Sequence, residues 1–195
     1  MLKFQNVCFS YKKKEVLKNL SFTLARGEIL AVMGPSGCGK STLLNLAAGL
    51  RKPTEGSIEN HAQKIAYVFQ EPRLFPWLTV AENVSAVLAE KQTEDETVER
   101  VLEAVGLTDA KDQFPASLSG GMKSRASLAR ALAYGGDLFL LDEPFAALDE
   151  SMRMELAEYL KGYLHTHNAS AIIVTHQLSD AQALADQIME LKQTD

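Results

Sequence analysis

Eight consecutive residues carry the most specific chemistry in this chain. Gly34-Pro35-Ser36-Gly37-Cys38-Gly39-Lys40-Ser41 follows the spacing G-x-x-x-x-G-K-[ST]. Glycines at these positions let backbone N–H groups close around phosphate oxygens without side chains intervening. A helix beginning at Lys40 adds the positive end of its dipole. Lys40 is the side chain expected to reach the β and γ phosphates of a nucleotide, and the Ser41 hydroxyl is expected to bind Mg²⁺.

Asp142 and Glu143 directly follow the apolar run Leu138-Phe139-Leu140-Leu141. One carboxylate can then support Mg²⁺ while its neighbour, pointing differently, orients an attacking water. Gln70 and His176 each follow another strand-like run, and open α/β sheets gather their ligands at such strand ends. Alone, each is an ordinary loop residue. Beside a phosphate loop, they define one crevice, with His176 expected near the γ phosphate and Gln70 near the metal or the water.

Leu118-Ser119-Gly120-Gly121 opens a long helical run, MKSRASLARALAY. Ser119 is a helix cap by residue type. The same hydroxyl, two glycines and a helix N-terminus also make a second anion cradle, which suggests a shared nucleotide.

These residues need elements to hold them. Glu28 to Met33 reads as a strand entering the glycine loop, and Lys40 to Leu50 as a buried helix ending near Gly49. Leu138 to Leu141 and Ala171 to Val174 are continuously apolar, as parallel strands covered on both faces are, and Ile65 to Phe69 is a weaker case. Gln187 to Leu191 reads as a last strand. Leu2 to Leu24 reads as two or three strands around a turn at Tyr11-Lys12-Lys13-Lys14.

Between Glu71 and Gly136 the pattern becomes helical. Thr79 with Glu82, and Thr93 with Glu96, have capping-box spacing. Val98, Val101, Leu102 and Val105 make one apolar stripe, and Gly106 suits its end. The acidic run Glu94-Asp95-Glu96 fits a solvated first turn. This region reads as a helical insertion within one domain. Phe75, Pro76, Trp77 and Leu78 form an apolar group that suits a core better than an interface.

Composition narrows the function classes. The chain has 195 residues, 46% hydrophobic and 23% charged, which suits one folded domain. A net charge of -5 leaves no general basic footprint for nucleic acid. No apolar run reaches the roughly 18 residues of a spanning helix, and no apolar signal core opens the chain, so a soluble cytoplasmic protein is expected. The two cysteines, Cys8 and Cys38, are too few for a disulfide framework and fit a reducing compartment.

With these residues assembled, the chain resembles the ATP-binding cassette (ABC) ATPases, the nucleotide-binding subunits of ABC transporters, over nearly its whole length. GPSGCGKST, through Thr42, is similar to the family's Walker A, Gln70 to its Q-loop, LSGG to its signature and LFLLDEP to its Walker B. Ala147-Leu148-Asp149 resembles the D-loop, His176 the switch histidine, and Tyr11 the aromatic that stacks on adenine. The stretch QEPRLFPWLTVAENV and Met122 look like the importers of nitrate, sulfonate, taurine and related small solutes.

The resemblance implies an α/β fold: a P-loop NTPase (RecA-like) core with an N-terminal antiparallel β region and a helical subdomain insertion. The core is expected at about 1–70 and 136–195 and the helical subdomain at about 71–135, in a single domain. It implies ATP hydrolysis with Mg²⁺, held by Ser41, Gln70 and Asp142, and Glu143 as the base. It implies a head-to-tail homodimer, or a pair with another ATPase subunit, in which Walker A of one copy and Ser119-Gly120-Gly121 of the other sandwich each ATP. A transmembrane permease, faced by the region of Phe75 to Leu78, and a solute-binding protein complete the implied system. The ATPase would then sit on the inner face of the cell membrane.

Met122, Ser124 and Gln177 depart from the commonest family residues. Asp195 falls soon after the last strand, so no regulatory C-terminal domain is expected. A non-transport cassette acting on nucleic acid or a signalling partner is the alternative, and its relatives usually carry a coiled coil or two fused cassettes. A small-molecule kinase would leave Ser119-Gly120-Gly121 and His176 unexplained.

Overall fold

In the computed structural model the described residues are 1–12, 14–88 and 94–193, without the side chains of Glu94 and Asp95. Lys13 of the expected turn and Thr93 of the second expected capping box lie outside them.

Two sheets form the frame. β1 (Leu2–Tyr11) and β2 (Lys14–Leu24) make an antiparallel hairpin closing at the Tyr11–Lys14 pair. β4 (Glu55–Asn60) joins the other edge of β1. The second sheet is parallel, in the order β5 (Ile65–Val68), β6 (Leu138–Asp142), β7 (Ser170–Val174), β3 (Ile29–Met33), β8 (Gln187–Glu190). β3, β6 and β7 are apolar at almost every position because layers cover both faces. The two faces take alternate residues. Phe139, Leu141, Ala171 and Ile173 enter the core beneath the helices, whereas Leu138, Leu140, Ile172 and Val174 enter the core shared with β1, β2 and α1 (Lys40–Ala47).

Helices occupy the chain between β5 and β6. α2 (Val80–Ser85) starts at the expected capping box, with the Thr79 hydroxyl accepting from the Glu82 N–H and the Glu82 carboxylate accepting from the Thr79 N–H. α3 (Glu94–Ala104) buries Val98, Val101 and Leu102, and Val105 just beyond it, in one stripe. Gly106 follows at φ 64°. Two short 3₁₀ turns then lead into α4 (Gly120–Tyr134). α5 (Glu150–Thr166) connects β6 to β7, and α6 (Leu178–Leu184) connects β7 to β8. Among the described residues no helix is long and apolar enough to cross a membrane.

Three features differ from the sequence expectation. β4 was not anticipated: EGSIEN is largely exposed and polar, so it lacks the apolar signature and forms because β1 offers an unpaired edge. α1 ends at Ala47 and not Leu50, where the N–H groups of Leu50 and Arg51 both turn back to the Asn45 carbonyl. Phe75 and Trp77 are not core: Trp77 is 69% exposed, its ring 5.6 Å from that of Phe75. The cause is Asn83, fully buried in α2, which bonds the backbone of Phe75, Leu78 and Thr79 and so holds the turn outward.

Candidate functional site

The glycine loop joins β3 to α1. Gly39 stands at the helix N-cap with φ 107°, and a Cβ there would lie 2.8 Å from Leu17 and 2.9 Å from Val16 of the hairpin. Any larger residue would meet both strain and a clash. The Lys40 side chain turns back along the loop, its ammonium donating to the carbonyls of Gly34 at 2.7 Å and Pro35 at 2.9 Å. Cys38 is buried beneath the loop and packs in the core.

A cavity of about 390 Å³ opens over this loop, lined by Ser36, Gly37, Gly39, Lys40, Ser41 and Thr42 together with Gln70, Asp142, Glu143 and Tyr11. Three separate strand ends and the hairpin thus meet at one place, whereas His176, expected in the same crevice, does not line it and meets it only through Glu143. Lys14 and Val16 of β2 also line it. Sequence reasoning missed both, since only the fold of the hairpin brings them to the loop. Tyr11 sits at the hairpin end, edge-on to Phe9 and with the Arg51 guanidinium 5.4 Å from its ring centre.

Asp142 and Glu143 are adjacent but differently held. Asp142 is buried at the end of β6. Burial pushes its carboxyl above the ordinary value, the Ser41 hydroxyl opposes that, the Glu143 charge adds to it, and Lys40 pulls down again. Glu143 leaves the strand in a left-handed conformation, φ 49°, while its N–H donates to the Val174 carbonyl at 2.9 Å. That conformation costs a non-glycine residue about 1–2 kcal/mol and swings the second carboxylate away from the first. The Glu143 Oε2 comes within 3.4 Å of His176 Nδ1, where the largely exposed imidazole stands at the end of β7. Gln70 lies just past β5.

Ser119-Gly120-Gly121 is not in this cavity. With Met122, Arg125, Met152 and Ala147-Leu148-Asp149 it lines a second cavity of about 420 Å³. Ser119 caps α4, accepting from the Met122 N–H at 3.2 Å, and Asp149 caps α5, accepting from the Met152 N–H at 3.1 Å. A Cβ on Gly121 would stand 2.8 Å from the Ala147 carbonyl oxygen, so a glycine is needed for the two loops to meet. Arg125, which the sequence did not single out, donates to the carbonyls of Val105 and Gly106 and ties this cavity to the end of α3. Ser124 bonds back to the Gly120 carbonyl.

A parallel sheet with a glycine loop, a lysine and strand-end carboxylates at one edge defines a P-loop nucleotide hydrolase. Residues 17–146 match the family profile described as ABC transporter. Over 188 residues the chain is 44% identical to the aliphatic sulfonates import ATP-binding protein SsuB 2 of Burkholderia cenocepacia, covering 93% of this chain and 70% of that protein. It is 43% identical to the bicarbonate transport ATP-binding protein CmpC of Synechococcus elongatus, covering 90% of this chain and 28% of that protein. Its fold is similar to a dimeric structure of a post-hydrolysis state of the ATP-binding cassette MJ0796 bound to ADP and Pi. The TM-score is 0.89 and the identity 29%, over 100% of this chain and 97% of that one. The chain belongs to the ABC transporter family and is an ATP-binding, ATP-hydrolysing subunit within it.

Proposed function

We propose that this chain powers an importer of a small solute, by closing as a dimer on ATP and reopening after hydrolysis. The observation that carries the import reading is the 44% identity to a sulfonate import subunit over nearly the whole chain. Sulfonates and bicarbonate, named in two relatives, are both small anions, so a small anion is the first solute to test.

In this reading the loop from Gly34 to Thr42 binds the phosphates through its N–H groups, and Lys40 exchanges the Gly34 and Pro35 carbonyls for phosphate oxygens. Tyr11 supports the base. The hydroxyl of Ser41 beside the buried Asp142 is a set of hard oxygen donors that fits Mg²⁺, which binds through few protein ligands plus phosphate, and Gln70 lines the same wall. When bound, the ion would neutralise phosphate charge. Glu143 orients and deprotonates the attacking water, and His176 holds the γ phosphate side of that arrangement. Ser119-Gly120-Gly121 and Asp149 face the nucleotide of a second copy, a role supported by their lying in a different cavity from Lys40.

The expected architecture is one domain, with a core at about 1–70 and 136–195 and a helical part at about 71–135. That helical part is the side proposed to meet a permease. Phe75 and Trp77 project there, and a groove of about 630 Å³ beside Ala81 mixes Val98 and Leu102 with Glu99, Glu103, Lys111 and Asp112. Such a mixed, mainly acidic groove suits the Lys- and Arg-rich cytoplasmic loops of membrane proteins. A solute-binding protein and a place on the inner membrane face complete the proposal.

Uptake by cells lacking this chain tests it. Loss of labelled alkanesulfonate or bicarbonate uptake, restored by the parent chain and not by Lys40→Ala, is the expected result. Unimpaired uptake of both would remove the small-anion assignment.

A further inference from the structure

The exposed imidazole of His176 gains little from its own contacts, so its place depends on the backbone around it. Two buried side chains fix that backbone. The Thr175 hydroxyl donates to the Asp180 carboxylate at 3.1 Å and accepts the Gln177 N–H, also at 3.1 Å. The Thr175 N–H donates to the Val32 carbonyl at 3.3 Å. Thr175 is 4% exposed and Asp180 6%. One hydroxyl therefore ties the residue before His176 to the residue after it, and a buried carboxylate orients that hydroxyl.

The arrangement solves a local problem. Gln177, the residue before α6, offers no side-chain cap, and Asp180 occupies the third helical position, where a capping-box acid would reach back to a backbone N–H. Here the acid reaches the N–H through the Thr175 hydroxyl. Each donor in the relay has an acceptor, which makes the loop stiff.

We propose that Thr175 and Asp180 are positioning residues for ATP hydrolysis: their buried bond holds His176 against Glu143 and so sets turnover without contributing to ATP affinity. The inference rests on the roles given above to His176 and Glu143. Neither Thr175 nor Asp180 lines the cavity, and the proposed route to it runs through His176, whose Nδ1 lies 3.4 Å from the lining carboxylate of Glu143.

Steady-state ATPase measurements on the full chain test this with Thr175→Val, Thr175→Ser and His176→Ala, singly and with the valine and alanine combined. Thr175→Val is expected to lower kcat about ten- to hundredfold, the scale of a mispositioned group, with KM for ATP changed less than about twofold. Thr175→Ser, which keeps the hydroxyl, should restore most of the rate. In the His176→Ala background the valine should have almost no further effect, because the group it positions is gone. A rate loss that adds in full to that of His176→Ala, or moves KM as strongly as kcat, would overturn the proposal in favour of a purely structural bond. Parent-like turnover in Thr175→Val, with His176→Ala slow, would overturn it while leaving the role of His176 intact. Parent-like turnover in His176→Ala would overturn both. Should the valine variant not fold, Asp180→Asn, which weakens the acceptor at constant volume, is expected to show the same kcat loss, and its absence counts against the proposal.

Discussion

Nδ1 of His176 lies 3.4 Å from Oε2 of Glu143, joining the ends of two neighbouring parallel strands. The contact forms because Glu143 turns left-handed immediately after β6 and hydrogen-bonds the last residue of β7. The carboxylate next to it, Asp142, stays buried on the strand and faces Ser41.

Glu143→Gln keeps the shape of this side chain and removes its basicity. ATP binding should persist while hydrolysis falls by at least about a hundredfold, the lower end of the range for loss of a general base. The variant should accumulate as an ATP-bound dimer, visible by size-exclusion chromatography. Hydrolysis at the parent rate would refute the base assignment.

Lys40→Ala removes the charge that bridges the Gly34 and Pro35 carbonyls as well as the one proposed for phosphate. Both the closed shape of the loop and its affinity should suffer. Titration calorimetry should show ATP affinity at least about tenfold weaker, and turnover should be lost.

Ser119→Arg fills the second cavity and deletes the cap of α4. The lost cap costs about 1 kcal/mol, too little to unfold the chain. Nucleotide binding by the monomer should stay near that of the parent, while light scattering should show no ATP-driven dimer. A dimer of normal strength would leave Ser119 with the capping role alone.

Asn83→Ala strips the partners from the backbone of Phe75, Leu78 and Thr79 at a fully buried point. A loss of about 2–4 kcal/mol in urea unfolding is expected for several buried groups left unsatisfied. Trp77 is the chain's one tryptophan, so its fluorescence anisotropy reports on the turn directly and should fall.

Asp137 receives the N–H groups of Gln63 and Lys64, each at 2.9 Å, and so staples β5 to β6 at their N-terminal ends. Burial pushes its pKa up. The N–H groups of Gln63, Lys64 and its own residue, and then Arg26, pull it down further, so the net value lies below the ordinary one. A carboxyl held lower in the folded chain stabilises it above the unfolded pKa, about 3.9, and that support is lost as pH falls through the lower folded value. Asp137→Ala should therefore be less stable at pH 7, with the gap to the parent closing below about pH 4. A gap independent of pH would show that the carboxylate charge is not what holds the strands.

The glycine loop, the apolar strands and the capping of α2 are legible in the sequence because each depends on neighbours a few residues away. The phosphate loop needs glycines at set spacing, a buried parallel strand needs an unbroken apolar run, and Thr79 reaches Glu82 within one turn. Even the two carboxylates can be found, as residues that end such a run. What joins these pieces is a sheet whose strand order, β5-β6-β7-β3-β8, is not the order of the chain. The contact of Glu143 with His176, the arrival of Lys14 and Val16 at the phosphate loop, and the separation of Ser119 from Lys40 all follow from that order and from the hairpin laid over it. Local spacing decided which groups this protein owns. Tertiary packing decided which of them meet, because pairs of residues far apart in the chain touch only after the sheet has paid their loop-closure entropy through its own burial.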